Sequence, residues 1–140
     1  MDRETIKSFL PQREPMFFVD ESVKQEDGSC VSHYRIRDDE FFLQGHFPGN
    51  PVVPGVILCE IMAQGSVGLM VDVLDGSSWP MFAAMDRVRF KRSVYPGDEL
   101  ATTSRIVETR GNLIFVDAKA TVDGKLCCSA RFTIALVPKD

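Results

Sequence analysis

Apolar residues recur along this chain with two different periods, and the change of period marks out its elements. Near the N-terminus, "ETIKSFL" (4–10) fits a short helix that Pro11 ends. "MFFVDESV" (16–23) and "SCVSHYRIR" (29–37) read as strands, with Asp27-Gly28 supplying the turn between them. From Asp38 to Pro54 the pattern is irregular, because Pro48, Gly49, Pro51, Pro54 and Gly55 exclude regular structure and stiffen the backbone path. After Pro54 a proline-led helix begins. Its apolar positions from Gly55 to Leu74 cover nearly the whole circumference, and Gly76 supplies a stop signal.

The second half alternates with the period of strands. "WPMFAAMDRVRFKR" (79–92) contains one strand, and "ELATTSRIVETR" (99–110) follows the turn "YPGDE". "LIFVDAKATV" (113–122) and "KLCCSARFTIALV" (125–137) flank Asp123-Gly124, a strong hairpin signal. In the last strand Leu126, Cys128, Ala130, Phe132, Ile134 and Leu136 alternate with Ser129, Arg131 and Thr133, giving one buried face and one more polar face. The sum is an α+β chain: an antiparallel sheet of about six strands, with one long helix between the second and third. Residues 1–140 form a single domain. A sheet covers only part of a helix that is apolar all round, so a second copy of the chain is expected to cover the rest.

Composition adds exclusions. With 44% hydrophobic and 26% charged residues among 140, the chain is ordinary for a folded protein. A net charge of -4 gives no general argument for nucleic-acid binding, so any basic surface is local. "MDRETIKSFLPQREP" carries charges where a signal peptide needs an apolar core. Glu60, Gln64, Ser66 and Asp72, with Gly65 and Gly68, interrupt the one long apolar stretch, which argues for a buried helix and not a membrane span. The expectation is a soluble cytoplasmic protein. Cys30, Cys59, Cys127 and Cys128 form no C-x-x-C pair, and a strand would point the last two to opposite faces. His33 falls in a strand as a surface or satisfied residue. It and His46 are the only histidines and lie near no cysteine cluster, so no metal site is expected.

The chemistry concentrates in "GHFPGNPVVPGVILCEIMAQG" (45–65). Glu60 lies among Ile57, Ile61 and Ala63; burial there would raise its pKa toward what a general acid requires. Gln64, one turn later, can hydrogen-bond and orient it. His46, in a proline-stiffened loop, can accept a proton near neutrality. The helix start at Gly55 offers free backbone N–H groups to a developing oxyanion, and glycine permits close approach of a carbonyl. Together they suit proton abstraction beside a carbonyl followed by loss of a β-hydroxyl. From the residues alone, a solvated Glu60 and an incidental loop histidine stay open alternatives.

The segment Gly45 to Gln64 carries G-H-F-P-G-x-P-x-x-P-G-V-x-x-x-E-x-x-A-Q unbroken at each fixed position. It resembles the 3-hydroxyacyl-[acyl-carrier-protein] dehydratases of the FabZ type. "LPQREPMFFVDESV" (10–23), "RFKRSVYPGD" (89–98) and "VDGKLCCSA" (122–130) extend the resemblance over nearly the whole chain. The resemblance implies a hot-dog fold, with the sheet wrapped around the central helix. It also implies a homodimer, usually three to a hexamer, whose active site lies at the dimer interface. There the histidine of one subunit faces the glutamate of the other. Carried over by position, His46 is the base at C2 of the thioester and Glu60 the acid at the C3 hydroxyl. Gly55 polarises the carbonyl and Gln64 positions Glu60. Neither cofactor nor metal is implied. Glutamate at position 60 favours a simple dehydratase over relatives that also isomerise the double bond and typically carry aspartate there. Gln12, where the family often has histidine, and Ser93, where proline is common, depart from the pattern at positions not expected to carry the chemistry.

The implied partner is acyl carrier protein bearing a 4'-phosphopantetheine-linked acyl chain. Within "RVRFKR", the densest basic segment, Arg87, Arg89, Lys91 and Arg92 are candidates for docking it. The alternative is a solvated strand edge protected by charge. Phe47, Ile57, Ile61, Met62, Met85 and Phe90 are candidates for lining the acyl chain. Two other functions compete: a hot-dog acyl thioesterase, which would use a carboxylate to direct water, and a non-catalytic carrier-binding scaffold. The presence of both His46 and Glu60 counts against each.

Overall fold

The computed structural model describes residues 1–140. Helix α1 (Arg3–Ile6) opens the chain, its Thr5 N–H donating to the Asp2 carboxylate at 2.8 Å. Strands β1 (Glu21–Lys24) and β2 (Cys30–Arg35) form a hairpin, with Gly28 at φ +89° in its turn. Helix α2 (Gly55–Gly65) follows the proline-rich loop. Then come β3 (Ser78–Phe90), β4 (Glu99–Arg110), β5 (Leu113–Val122) and β6 (Lys125–Pro138). All six strands join one antiparallel sheet in the order β1-β2-β4-β5-β6-β3. The α+β class, strand number and place of the helix match the sequence reading.

The sheet curls around α2, which packs against β2, β4, β5 and β6. Leu58, Cys59, Ile61 and Met62 of the helix join Leu100, Val116, Ala118, Ala120, Phe132 and Ile134 of the strands in one core. The small residues Ala118, Ala120 and Ala130 let the sheet approach the helix closely. At about 25 cal/mol per Å² of apolar surface, each large core side chain contributes about 1.5–3 kcal/mol.

Helix α1 stops at Ile6, short of the expected end at Leu10, and two further boundaries differ from the sequence reading. The first strand begins at Glu21, not Met16, and Phe17, Phe18 and Val19 are buried without joining the ladder. Their backbone is claimed elsewhere: the Phe18 N–H donates to Gln64 Oε1 at 2.7 Å. Helix α2 stops at Gly65 and does not run to Leu74. Its last turn closes through Ser66, whose hydroxyl donates to the Met62 carbonyl at 2.9 Å, and a 3₁₀ turn (Val67–Leu69) follows. The apolar run continues because this turn is also buried, packed beside β1.

All four thiols are buried and unbridged. Cys127 and Cys128 do not divide between a buried and an open face: both are buried. A register shift pairs Ala120 with Cys128 and Thr121 with Leu126, leaving Cys127 in the bulge. The Lys91 N–H donates to the Cys127 carbonyl at 2.8 Å and helps cover it. Cys59 and Cys128 are neighbours across the helix–sheet seam, which lowers the Cys59 thiol to about 7 and raises that of Cys128. His33, in β2, contacts Glu21 Oε1 through Nδ1 at 3.1 Å.

Candidate active site

The loop before α2 folds back on itself. Phe47 and Asn50 exchange backbone hydrogen bonds at 3.0 and 2.9 Å around Gly49, whose φ of +74° suits glycine. The Val52 N–H donates to the His46 carbonyl at 2.9 Å, and the Val53 N–H to that of Val94 at 2.8 Å. These bonds hold the half-buried His46 imidazole in place. Its Nδ1 lies 3.0 Å from the Val52 carbonyl, and its ring stacks on Phe47 with centroids 4.2 Å apart. A carbonyl only accepts, so Nδ1 carries the proton and Nε2 is left with its lone pair. That is the tautomer a general base needs.

His46 and Gly55 line one cavity of about 670 Å³, together with Phe47, Val56, Phe90, Lys91 and Arg92 among others. Gly55 is the first residue of α2, so its N–H has no carbonyl one turn earlier to bond. A Cβ there would sit 2.8 Å from Cε1 of Phe90. The backbone and the Phe90 ring are therefore in close contact. The missing side chain makes room for the Phe90 ring.

Glu60 lies one and a half turns further along, half-buried, in a second cavity of about 340 Å³. Leu10, Gln12, Gln64, Met70, Met81 and Phe82 surround it. The Gln64 side chain is almost wholly buried. It donates to Glu60 Oε2 at 2.9 Å and to the Met16 carbonyl at 2.8 Å, and it accepts from the Phe18 N–H. Gln64 thus ties the carboxyl to the segment between Met16 and Phe18. Sequence reasoning anticipated the Gln64–Glu60 bond from their one-turn spacing. The backbone atoms that hold Gln64 and His46 carried no sequence signal, because any residue supplies a carbonyl.

The structure brings His46, Gly55, Phe47 and Phe90 together and places Glu60 with Gln64 in the other cavity. Among the lining candidates, Phe47, Met85 and Phe90 are exposed and Ile57 is partly so, whereas Ile61 and Met62 belong to the core beneath. Arg87, Arg89, Lys91 and Arg92 are exposed at the end of β3 and beyond it. No group of three or more His, Cys, Asp or Glu side chains is placed to hold a metal ion. No helix is long and apolar enough to cross a membrane.

A family described as the FabA-like domain matches residues 10–131. This chain belongs to that family. Among FabA-like proteins it is 41% identical over 137 residues to the 3-hydroxyacyl-[acyl-carrier-protein] dehydratase FabZ of Staphylococcus carnosus (strain TM300). That match covers 96% of this chain and 94% of the relative. It is 39% identical to FabZ of Clostridium perfringens (strain SM101 / Type A), covering 97% and 99%. The chain is thus a FabA-like enzyme of the FabZ dehydratase type. A solved dehydratase heterocomplex, ApeI:P from Xenorhabdus doucetiae, superposes with a TM-score of 0.79 at 17% identity, covering 96% of this chain and 91% of the other. A mutant thioesterase from Pseudomonas aeruginosa gives 0.70 at 16%, covering 99% and 96%. These two share the hot-dog fold, and at such identity the fold alone.

Proposed function

We propose that this enzyme removes water from (3R)-3-hydroxyacyl-acyl carrier protein, giving the trans-2-enoyl thioester of fatty acid synthesis or a related acyl pathway in the cytoplasm. What carries the reading is a matched pair in one chain. A histidine has its Nδ1 committed to a carbonyl, and a carboxyl has Oε2 committed to a buried glutamine. His46 Nε2 takes the C2 proton, and the C2–H electrons form the C2–C3 double bond. The C3–O bond breaks as the Glu60 carboxyl gives its proton to the departing hydroxyl, and water leaves. The Gly55 N–H stabilises charge on the thioester oxygen. The imidazolium and carboxylate left behind reset by returning the proton, directly or through solvent.

Both groups act on one substrate when two chains combine. Three observations support a dimer. His46 and Glu60 line separate cavities of the same chain. Strand β3 pairs only with β6 and leaves its other edge open. Along it Trp79, Met81, Phe82, Met85 and Phe90 are all at least 40% exposed, an apolar surface that a second chain would bury. The acyl chain then runs along Phe47, Ile57, Met85 and Phe90, with Ile61 and Met62 backing the wall. Lys91 and Arg92, which line the His46 cavity, dock the acidic carrier together with Arg87 and Arg89. Three such dimers form a hexamer.

The deciding assay follows a 3-hydroxyacyl carrier thioester by mass spectrometry. Loss of one water with the acyl group still attached is expected. Release of free carrier thiol and fatty acid would replace this reading with a thioesterase, for which only the shared fold now speaks.

A further inference from the structure

Bonds from the Val52 and Val53 N–H groups tie the His46 loop on its C-terminal side. On its N-terminal side the tie is a buried acid. Glu40 is the only charged side chain that is buried, at 8% exposure. It opens the 3₁₀ turn Phe41–Leu43, where a polar side chain can bond the turn's own free N–H groups, yet its carboxyl caps nothing there. The carboxyl turns inward instead. Glu40 Oε2 accepts from the Tyr34 hydroxyl of β2 at 2.5 Å and from the Arg37 N–H at 3.2 Å. Burial and the Glu40 carboxyl push the Tyr34 hydroxyl above its ordinary range, so it remains a donor at neutral pH. A carboxylate loses its hydration when buried, so these two donors fix where Glu40 sits.

The turn that Glu40 opens leads directly to the base. The Leu43 N–H donates to the Glu40 carbonyl at 3.1 Å, and the His46 N–H to the Leu43 carbonyl at 3.3 Å. Phe42, in the same turn, meets the Phe18 ring edge-on at 5.7 Å, and Phe18 meets Tyr34 at 5.6 Å. Glu40 itself lines neither the His46 cavity nor the Glu60 cavity. It is placed to act through the loop and not on substrate.

We infer that Glu40 is a positioning residue for His46: its bond to Tyr34 anchors the Phe41–Leu43 turn to β2 and so holds the imidazole where Nδ1 meets the Val52 carbonyl. This rests on the dehydratase reading, in which Nε2 presents its lone pair to C2, and adds the residue that keeps it presented. Without the anchor the turn shifts against β2 and the His46 backbone moves with it. The ring then divides between two tautomers. Only the one protonated at Nδ1 can take a proton at Nε2.

The test uses full-length enzyme labelled with nitrogen-15 in its histidines, and three variants. Glu40→Leu keeps the bulk and loses the acceptor, Glu40→Gln keeps an acceptor oxygen, and Tyr34→Phe loses only the donor. Glu40→Leu is expected to lower kcat for a 3-hydroxyacyl carrier thioester about tenfold, the effect of one lost hydrogen bond, with KM nearly unchanged. The His46 ring nitrogens are told from those of His33 by their loss in His46→Ala, in alkaline solution where imidazole is neutral. In Glu40→Leu they should move from the pattern of a single Nδ1–H tautomer to an averaged one. Tyr34→Phe should change both readouts in the same direction, and decides alone if Glu40→Leu does not fold. Glu40→Gln should keep the single-tautomer pattern and a kcat within about twofold of wild type. Unchanged nitrogen signals in Glu40→Leu and Tyr34→Phe would overturn the inference even if turnover falls, since Glu40 would then support the fold and not the base. So would equal changes in Glu40→Leu and Glu40→Gln. A wild type that forms no enoyl product would remove the dehydratase reading, while the nitrogen signals would still decide what holds His46.

Discussion

His46 and Glu60 each keep one polar side-chain atom free and have the other hydrogen-bonded. The Val52 carbonyl fixes the histidine tautomer, and Gln64 fixes the rotation of the carboxyl. Such a division matters because a general base must present its lone pair, and a general acid its proton, without searching for an orientation. His46→Ala and Glu60→Gln should each lower kcat at least ~10²-fold in a steady-state assay while leaving the melting temperature near wild type. Near-normal turnover in either folded variant would remove that residue from the mechanism. Gln64 lies deeper than either and contributes to folding as well, since it satisfies the Phe18 N–H and Met16 carbonyl of a segment with no ladder partner.

At the scale of elements, α2 is short because its C-terminal end is pressed onto the first hairpin. The Ser32 hydroxyl donates to the Gly65 carbonyl and lies 2.8 Å from Ser22 Oγ, which in turn contacts Cys30 Sγ at 3.0 Å. Gly68 sits against this cluster: a Cβ there would lie 2.6 Å from Cys30 Sγ and 3.1 Å from Ser22 Oγ. These atoms belong to buried strand residues that cannot step aside. Gly68→Ala should therefore destabilise the fold by about 1–3 kcal/mol, the usual cost of overpacking, read as a lower urea midpoint. Gly45→Ala, where a Cβ meets nothing within 4 Å, is the matched control and should leave the midpoint nearly unchanged. An unaltered midpoint in Gly68→Ala would show that the turn relaxes away from β2.

For the whole molecule, the arrangement of the two cavities makes a quantitative prediction about assembly. In a dimer with sites shared across the interface, a mixed pair of His46→Ala and Glu60→Gln chains contains one complete site and one empty of both groups. Refolding the two inactive variants together in equal amounts should restore about a quarter of wild-type specific activity, since half the dimers are mixed and each has one working site. No recovery on mixing would place both groups of each site in a single chain.

Much of this was legible in the sequence, for identifiable reasons. Strands β4, β5 and β6 alternate cleanly and are bounded by Gly-containing turns, so local chemistry defined them; Asp123 and Gly124 both take positive φ, at 51° and 77°, as a tight hairpin requires. The motif from Gly45 to Gln64 pointed to His46 and Glu60 as the proposed base and acid because both are ionisable side chains set among residues that are mostly apolar or small. Two readings failed where tertiary contacts override local preference. Met16 to Phe18 has a strand's composition, yet its backbone is engaged by Gln64 instead of a neighbouring strand. The apolar run after Gly65 has a helix's composition, yet close packing of Gly68 on Cys30 bends it. Period determined which residues are inside, and the motif singled out those proposed to bear the chemistry. Only the folded chain decided the partners of each polar atom, because a backbone carbonyl such as that of Val52 leaves no mark on the sequence.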